Sequence, residues 1–371
     1  MDKKEVAEIK KQFTPANCNI TRIATCYINH EKEVLLKKTE AFLALDEGEQ
    51  FKYFDIFKKT LSGRKGKTLY DIEFPTENGG SEKENLLNNL RKSKLKNEDL
   101  LDAFYQRVMN TYNFGENYLI VLIHGAYDVP GKTSDGMTME DASDEVYDYV
   151  LCAICPVGLS KPGLSINAIE SKVENRTRDW VVEMPAHGFL HPAFNDRSMD
   201  LHSMLYYTKR TTDMQPEFSF ELTGVSEPLI SIDEEHAIMA DIVAREETLD
   251  FATIRNFTSQ AQEEIEESLE ELKVSPEKLA SLLEDAGISD VEVQSIVNTY
   301  KDRFGGNYQV SLASIVDKEK TTIKTGNCVI KVDTDCIHEV EVKKVDSRLY
   351  MMIPLNNTLV EVNGMTVKGM K

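Results

Sequence analysis

The spacing of hydrophobic residues predicts a body of helices and strands over the first 216 residues. After Asp2, Glu49 and Asn97, apolar residues recur every three or four positions, which places them on one face of a helix. Other stretches alternate between apolar and polar residues or are apolar throughout, as strands are. The predicted strands are Ile20–Ile28, Leu69–Phe74, Tyr118–Ile123, Tyr149–Ile154, Leu164–Ile169, Trp180–Glu183 and Leu201–Thr208. Those at Tyr118 and Tyr149 are apolar on both faces, so we expect them to be covered on both sides of a sheet.

The pattern changes twice in the rest of the chain. Residues 217–304 carry apolar residues at helical spacing, and Ser275 and Ser289 have the form of N-caps ahead of two short helices. Residues 305–371 alternate between apolar and polar positions, as the strands of a small antiparallel sheet do. We therefore predict an α+β fold in three parts. These are an N-terminal body with a mixed sheet and helices at 1–216, an acidic helical segment with a helical hairpin at 217–304, and a β-rich C-terminal module at 305–371.

The charge of the chain is strongly negative and unevenly distributed. Its 371 residues include 43 Lys and Arg against 63 Asp and Glu, which gives a net charge of −20. Residues 217–302 alone hold 22 acidic and 5 basic side chains. Such a charge disfavours nucleic acid and anionic lipid as partners. We interpret the acidic stretch as a solvated helical segment, with a docking surface for a basic partner as the alternative.

Three features predict a cytoplasmic protein. The opening residues Met1–Glu5 lack the apolar segment of a signal peptide. The longest apolar run, Leu119–Ile123, is far shorter than a membrane span. The six cysteines are few for a chain of this length, which is typical of reduced thiols. Cys152 and Cys155 form a Cys-x-x-Cys pair within a predicted strand, where their side chains would point to opposite faces instead of forming a redox pair.

The segment Gly125–Thr133 is close to a phosphate-binding loop but departs from it. It follows a predicted strand and ends in Gly-Lys-Thr, yet five positions separate the two glycines where the loop has four. Pro130 removes a backbone N–H, and Asp128 places a negative charge where phosphate would bind. We interpret the segment as a polar turn. The acidic residues that follow, up to Glu145, are interpreted as a solvated loop, with a calcium or magnesium site as the weaker alternative.

The strongest candidate for a metal site is the segment His187–His202. It holds three of the seven histidines and two aspartates within sixteen residues. Neutral imidazole and carboxylate groups bind zinc, manganese or iron. His187, His191 and His202 are therefore candidate ligands of a divalent metal, the one cofactor that the sequence suggests. No metallohydrolase signature has this order of residues.

The same segment supplies candidate catalytic residues. Asp196 and Asp200, together with His124 from an earlier predicted strand, are the side chains that could form an acid–base pair. The alternative, which we favour, is a loop in which the two aspartates cap turns and Arg197 forms a salt bridge. A catalytic role requires that these side chains converge in one concave pocket and have shifted pKa values.

Several long segments of the chain are similar to the DUF4317 family. The segments that carry the resemblance are Lys3–Pro15, Phe51–Gly63, Asn117–Gly131, Ile154–Val157, Pro192–Ser198 and Glu361–Gly364. The resemblance implies a bacterial protein, mainly of Firmicutes, and carries no activity, cofactor or catalytic residue. It also implies a family pattern Gly-Phe-Leu-Phe-Pro where this chain has Gly188–Pro192. His191 then stands where relatives have Phe, which weakens it as a shared metal ligand and draws attention to the turn Asn195–Ser198.

Two hypotheses for function come from these observations. The favoured one is a non-enzymatic, cytoplasmic binding or regulatory module that recognises a protein partner or a small ligand, because no complete catalytic motif is present. The alternative is a metal-dependent or acid–base hydrolase with a site around His187–His202, assisted by His124 and Asp128. The sequence leaves the oligomeric state open.

Overall fold

The computed structural model describes residues 1–75, 82–132, 138–210, 215–225, 229–245, 249–268, 272–304, 308–317, 319–326, 328–354, 361–362 and 365–366. The chain divides into two compact units, Met1–Leu229 and Ile230–Lys371. The finer division at 216/217 and 304/305 stays a prediction.

The first unit combines helices with a large sheet. Its helices are α1 (Lys3–Lys10), α2 (Glu47–Thr60), α3 (Glu82–Lys92), α4 (Glu98–Thr111) and α5 (Pro216–Thr223). Its strands are β1 (Ile20–Ile28), β2 (Val34–Ala41), β3 (Leu69–Glu73), β4 (Tyr118–Lys132), β5 (Thr138–Leu159), β6 (Leu164–Asn167), β7 (Lys172–Asn175), β8 (Trp180–Val182), β9 (His187–His191), β10 (Ala193–Asn195), β11 (Ser198–Asp200) and β12 (Ser203–Thr208). The α+β prediction is confirmed.

The helices begin where the capping residues indicate. The Asp2 carboxylate accepts hydrogen bonds from the Lys4 and Glu5 amides, and the Glu5 side chain accepts one in return from the Asp2 amide, which is a complete capping box for α1. Asn97 caps α4 by accepting from the Leu100 amide at 3.2 Å.

The central sheet has the strand order β2-β1-β4-β5-β9-β12-β3, and β8 pairs with the end of β5. Each neighbouring pair along it is antiparallel. One face is covered by α1 and α2 and the other by α3, α4 and α5. Alternate residues of β4 and β5 enter the two cores, so the prediction of strands covered on both sides is confirmed. Cys152 and Cys155 lie in opposite cores, as expected.

Three local predictions differ from the structure. The segment predicted as a polar turn after Gly125 continues β4 to Lys132, because it pairs with β5 along its length, and Thr133 lies outside the described residues. The predicted strand Leu164–Ile169 is shorter, and as β6 it pairs with β7 in a separate hairpin. The segment predicted as a loop from His187 forms the buried strand β9 between β5 and β12, because its backbone hydrogen bonds complete the sheet.

The second unit is helical with short β-hairpins. Its helices are α6 (Ile232–Ala244), α7 (Phe251–Glu267), α8 (Pro276–Asp285), α9 (Asp290–Phe304) and the single turn α10 (Leu312–Ile315). Its strands are β13 (Lys273–Val274), β14 (Val310–Ser311), β15 (Lys320–Lys324), β16 (Val329–Asp333), β17 (Glu341–Val345), β18 (Arg348–Met352), β19 (Glu361–Val362) and β20 (Met365–Thr366). The helices share one apolar core.

The caps and hairpins of the second unit follow the sequence pattern. Ser275 accepts from the Lys278 amide at 3.3 Å, and the Glu292 carboxylate accepts from the Ser289 amide at 3.2 Å. The predicted antiparallel strands are present as separate two-stranded pairs, β15–β16, β17–β18 and β19–β20. The turn predicted at Asn363-Gly364 lies outside the described residues. Within the ranges given above, no helix is long and apolar enough to cross a membrane.

Candidate functional site

A row of polar side chains is buried between α3 and the central sheet. His124 of β4 and Asp148 of β5 point to the same sheet face as Leu122 and Val150, which lie two residues away in the same strands. Glu84, Asn88 and Arg91 follow one another at spacings of four and three along α3, which places them on one side of that helix. This side faces the sheet, and Arg91 and Glu84 are 6% and 4% exposed. We call these five side chains, together with His191 of β9, the polar row.

At one end of the polar row, three side chains form a chain of contacts. Arg91 Nη1 donates to Asp148 Oδ2 at 3.3 Å, and Asp148 Oδ1 lies 2.6 Å from His124 Nε2. On the other side of the imidazole, His124 Nδ1 is 2.6 Å from the hydroxyl of Thr21. The ring N–H of His124 is not directed at the carboxylate oxygen, so their contact is short but poorly aligned.

The charge of Asp148 is stabilised by these neighbours. Burial alone would raise the pKa of Asp148, because desolvation disfavours a carboxylate. The contacts with His124 and with the Arg91 guanidinium outweigh this effect and hold the pKa of Asp148 below its ordinary value. The carboxylate is therefore ionised at neutral pH and compensates the buried positive charge of Arg91.

His191 lies in the middle of the polar row and is fully buried. Its Nε2 atom is 3.4 Å from Asn88 Oδ1, and its ring meets the Phe74 ring edge to face at 5.4 Å. Burial, and secondly the charge of Arg91, lower the pKa of His191 to about 3. The imidazole is therefore neutral over the physiological pH range.

The predicted catalytic aspartates lie in surface turns beside the polar row. Asp200 accepts hydrogen bonds from Asn195 Nδ2 at 2.7 Å and from the His202 amide at 3.0 Å. Burial raises the pKa of Asp200, but hydrogen bonds from Ser203, Asn195 and His202 lower it below its ordinary value. Asp200 therefore caps a turn, as the favoured alternative expected.

The turn Asn195–Ser198 joins β10 to β11. Asp196 and Arg197 have φ values of 51° and 58°, as the two central residues of a tight hairpin require, and Asp196 is exposed. The guanidinium of Arg197 forms the predicted salt bridge, to Glu8 at 3.0 Å, and also donates to the Pro130 carbonyl at 3.1 Å. The turn thus fixes β10 and β11 to α1 and β4. The catalytic roles of Asp196, Asp200 and His124 stay predictions.

The three predicted metal ligands lie apart. His187 Nδ1 is 2.8 Å from the Tyr112 hydroxyl, at the other end of β9 from His191. Four residues of strand correspond to about 13 Å, which is too far for one ion to bind both rings. His202 has a 67% exposed side chain and contacts Glu84 at 3.2 Å. In the described ranges of the chain, no three His, Cys, Asp or Glu side chains are grouped as a metal site.

The predicted acidic ion site is only partly described. Asp128 is an exposed residue of β4. Glu145 accepts hydrogen bonds from the Ser198 hydroxyl at 3.4 Å and from the Met199 amide at 3.3 Å, which ties β5 to the β10–β11 turn. The side chains between these two residues, from 132 to 144, lie outside the description.

A second candidate site is an apolar cavity in the second unit. It has a volume of about 180 Å³ and lies among α6, α7, α8, α9 and α10. Apolar residues dominate its wall, among them Met239, Leu249, Phe257, Leu279, Leu283 and Ile296. The polar side chains in the wall are His236, whose Nδ1 lies 2.7 Å from the Ser314 carbonyl oxygen, and Thr258, whose hydroxyl donates to the Ile254 carbonyl at 2.8 Å. Exposed Ala240 lies at the mouth of the cavity.

A comparison with protein families identifies the chain. The model described as "Domain of unknown function (DUF4317)" matches residues 1–365. The chain belongs to the DUF4317 family. The resemblance of the segments from Lys3 to Gly364 is thereby confirmed. A comparison with curated proteins finds no match. The DUF4317 description names no activity, so a function for this chain has to be inferred from its geometry.

Sequence reasoning missed the residues of the cavity and four members of the polar row, namely Glu84, Asn88, Arg91 and Asp148. In this DUF4317 chain Glu84, Asn88 and Arg91 do share one helical face, and that spacing was a usable signal. The pairing of Asp148 with His124 carried no local signal, because it depends on the register of β4 against β5. The cavity is formed by five helices and has no sequence signature.

Proposed function

We propose that this DUF4317 protein is a non-enzymatic, cytoplasmic binding module that takes up a small, neutral, apolar molecule in the cavity of its second unit. The observation that carries this proposal is the cavity itself. Protein interiors are packed as densely as organic crystals and contain few voids larger than a water molecule. A void of about 180 Å³ is somewhat larger than an engineered cavity of roughly 150 Å³ that binds benzene. The six free thiols favour the cytoplasm.

The wall of the cavity limits the chemistry of the ligand. Among the residues of the wall that the structure describes, His236 is the one acidic or basic side chain. His236 Nδ1 donates to a backbone carbonyl, which leaves Nε2 of the neutral imidazole as an acceptor, and the Thr258 hydroxyl donates to another carbonyl, so neither offers a donor to a carboxylate. A charged ligand would lose its hydration without gaining a partner, which costs several kcal/mol. The volume and the wall together favour a single aromatic ring system or a short aliphatic chain.

The test is calorimetric titration of the full chain with indole, with indole-3-acetate as the charged probe of similar shape. We expect one site for indole and at least about tenfold weaker binding of indole-3-acetate, because its carboxylate would be desolvated. Ala240→Phe places a ring in the mouth of the cavity and should abolish indole binding. Ala237→Phe is the matched control, because Ala237 is exposed on the same helix and does not line the cavity.

Either of two results would overturn the proposal. One is an absence of indole binding to the wild-type chain at concentrations near its solubility. The other is unchanged binding by Ala240→Phe, since the cavity could not then be the site.

A second candidate function, an acid–base hydrolase, is favoured by one observation. The exposed Thr21 hydroxyl, the buried His124 ring and the Asp148 carboxylate follow one another in the order hydroxyl, imidazole, carboxylate. In such a chain the hydroxyl proton passes to His124 Nδ1 as the oxygen attacks an acyl carbon, and the imidazole gives that proton to the leaving alcohol as its C–O bond breaks. A water molecule, deprotonated by the same ring, then attacks the acyl-threonine and releases the acid and the free Thr21 hydroxyl. A rotation of the His124 ring is needed to align its Nε2–H with Asp148 Oδ1.

This second candidate is tested with 4-nitrophenyl acetate. If it holds, the wild-type chain hydrolyses the ester and Thr21→Val removes at least about 99% of the rate, because the attacking oxygen is lost. Thr39→Val is the control, since Thr39 is another exposed strand threonine of the same unit. Equal rates in the wild type and Thr21→Val would exclude Thr21 as the nucleophile.

A further inference from the structure

Large apolar side chains are unusually exposed between Leu159 and Met184. Nine of them are between 41% and 97% exposed, whereas a single chain seldom leaves a large contiguous apolar patch in water. These side chains are Leu159, Leu164, Ile166, Ile169, Val173, Trp180, Val181, Val182 and Met184. Because they come from one stretch of 26 residues, we treat them together and call them the hairpin face.

The hairpin of β6 and β7 presents its apolar side outwards. Ile166 pairs with Val173, so both side chains lie on one side, and Leu164 lies two residues before Ile166 on that side. The three are 82%, 64% and 73% exposed, in the order Ile166, Val173 and Leu164. A hairpin in a self-sufficient chain turns its apolar side inwards. Here the arrangement is reversed.

The opposite side of the hairpin is polar and already paired. Lys172 Nζ lies 2.9 Å from Glu174 Oε2, and Asn167 Nδ2 donates to Glu174 Oε1 at 3.2 Å. Ser165, Asn167 and Glu174 are half-buried and therefore less exposed than the apolar side chains across the hairpin. The polar side chains of the hairpin therefore have hydrogen-bond and ion-pair partners. The apolar side chains across the hairpin are not covered to a similar extent by the described part of the first unit.

Strand β8, which follows the hairpin along the chain, adds further exposed apolar side chains at the end of β5. Its residues Trp180 and Val182 pair with Leu159 and Val157 of β5, and all three β8 side chains are exposed. Trp180 is the single tryptophan of the chain and is 55% exposed. Tryptophan is enriched at the centres of protein interfaces, where its large surface is removed from water.

We propose that the hairpin face binds the same face of a second copy of this chain in a two-fold symmetric dimer. The charge around the face supports a copy over an unrelated partner. Residues 159–184 hold four basic and four acidic side chains and are neutral, although the whole chain carries −20. Two copies would repel each other over most of their surfaces but can meet here without accumulating negative charge.

Two-fold symmetry also fits the composition of the face. In such a contact the same surface of both copies is used, so an apolar centre meets an apolar centre. Because one copy is rotated relative to the other, a basic side chain at the rim of one copy can lie opposite an acidic side chain at the rim of the other. Homodimer interfaces are more apolar than other interfaces, as the centre of this face is.

The test uses sedimentation velocity and Trp180 fluorescence on the full chain between about 1 and 100 µM, a range that covers micromolar dissociation constants. We expect the mass to rise from monomer to dimer with concentration. The emission maximum of Trp180 should shift to shorter wavelength over the same range, because the indole leaves water. Ile166→Glu should weaken the dimer at least about tenfold. Leu35→Glu is the matched control, since Leu35 is a 57% exposed apolar residue on another strand of the first unit.

A wild-type chain that stays monomeric at about 100 µM would overturn the proposal. So would a dimer that Ile166→Glu does not weaken, or that Leu35→Glu weakens equally, because the interface would then lie elsewhere. Ile166 is exposed, so unchanged melting of Ile166→Glu is expected and separates loss of association from loss of folding.

Discussion

Replacement of the buried His191 by Phe should remove a specific part of the pH dependence of stability. His191 is fully buried, and its pKa is lowered to about 3 from an ordinary value of 6.5. In the unfolded chain the imidazole gains a proton as the pH falls below about 6.5, whereas in the folded chain it stays neutral down to about pH 3. Acid therefore favours the unfolded chain through this residue. Its contribution to stability is complete above about pH 6.5 and is lost progressively as the pH falls towards 3.

The magnitude follows from the two pKa values. Each pH unit below the unfolded pKa costs about 1.4 kcal/mol. At pH 5, which lies about 1.5 units below 6.5, the loss from His191 amounts to about 2 kcal/mol relative to pH 8. Asp200 and Arg91 influence the ring from nearby but are present in both proteins. The difference between wild type and His191→Phe therefore isolates the titration of His191.

The assay is urea unfolding of the full chain at pH 5 and at pH 8, followed by Trp180 fluorescence. Trp180 is the single tryptophan and lies in the first unit, so its signal reports on the unit that contains His191. A protein concentration of about 1 µM keeps self-association low. The Phe ring can take the place of an imidazole that already packs against Phe74. We expect the stability of His191→Phe relative to wild type to improve by about 2 kcal/mol from pH 8 to pH 5.

The reasoning would be refuted if the difference in free energy of unfolding between wild type and His191→Phe were the same at pH 5 and pH 8. It would mean that the folded protein accepts the proton on His191, either through a partner that forms in acid or through entry of water. The free energy of unfolding of His191→Phe at pH 8 alone does not test the titration of His191, because the substitution also removes the contact with Asn88.

Two further predictions concern packing and the limits of the first unit. Gly188→Ala should destabilise the first unit by at least about 3 kcal/mol, because an added Cβ would lie 2.3 Å from the Cys152 carbonyl oxygen. Gly163→Ala is the control, since an added Cβ there would have no atom within 4 Å, and its urea unfolding should match that of the wild type. A fragment of residues 1–229 should melt cooperatively. A fragment of residues 1–216 should be less stable by several kcal/mol, because this shorter fragment lacks the two apolar side chains that α5 places in the core. Equal melting of the two fragments, measured by circular dichroism, would contradict the second prediction.

The sequence was informative where one face or both faces of an element are uniformly apolar. The run from Tyr118 to Ile123 predicts a strand covered on both sides, and every one of these residues is buried. Capping residues were equally informative, because the contacts of Asp2 and Asn97 are local and do not depend on the rest of the fold. Such elements are specified within about ten residues of chain.

The sequence was uninformative where polar residues are buried. Helix α3 contains Leu86, Leu87 and Leu90 but is otherwise rich in Asn, Lys and Glu, so its apolar face is narrow and its polar face would ordinarily be assigned to solvent. Strand β9 begins and ends in histidine, which suggests a loop. Each histidine is accommodated by a hydrogen-bonding group from a distant part of the chain, His187 by the Tyr112 hydroxyl and His191 by the Asn88 side chain. Contacts across 75 and 103 residues have no local signature.

The two candidate sites differ in whether their side chains meet complementary partners within the folded chain, and this difference supports the proposal that a ligand binds in the cavity. In the polar row, Arg91 is compensated by Asp148, Asp148 contacts His124, and His191 is held neutral beside Asn88. The charges of Arg91 and Asp148 therefore compensate each other within the row, although the Arg91 Nε atom has no hydrogen-bond partner among the described residues. The cavity is not compensated in this way. Its wall is apolar over most of its surface, and at its mouth beside Ala240 this wall is open to solvent. An apolar molecule that binds against this wall would remove apolar surface from water, and because it would bind only the folded unit it would raise the free energy of unfolding of that unit.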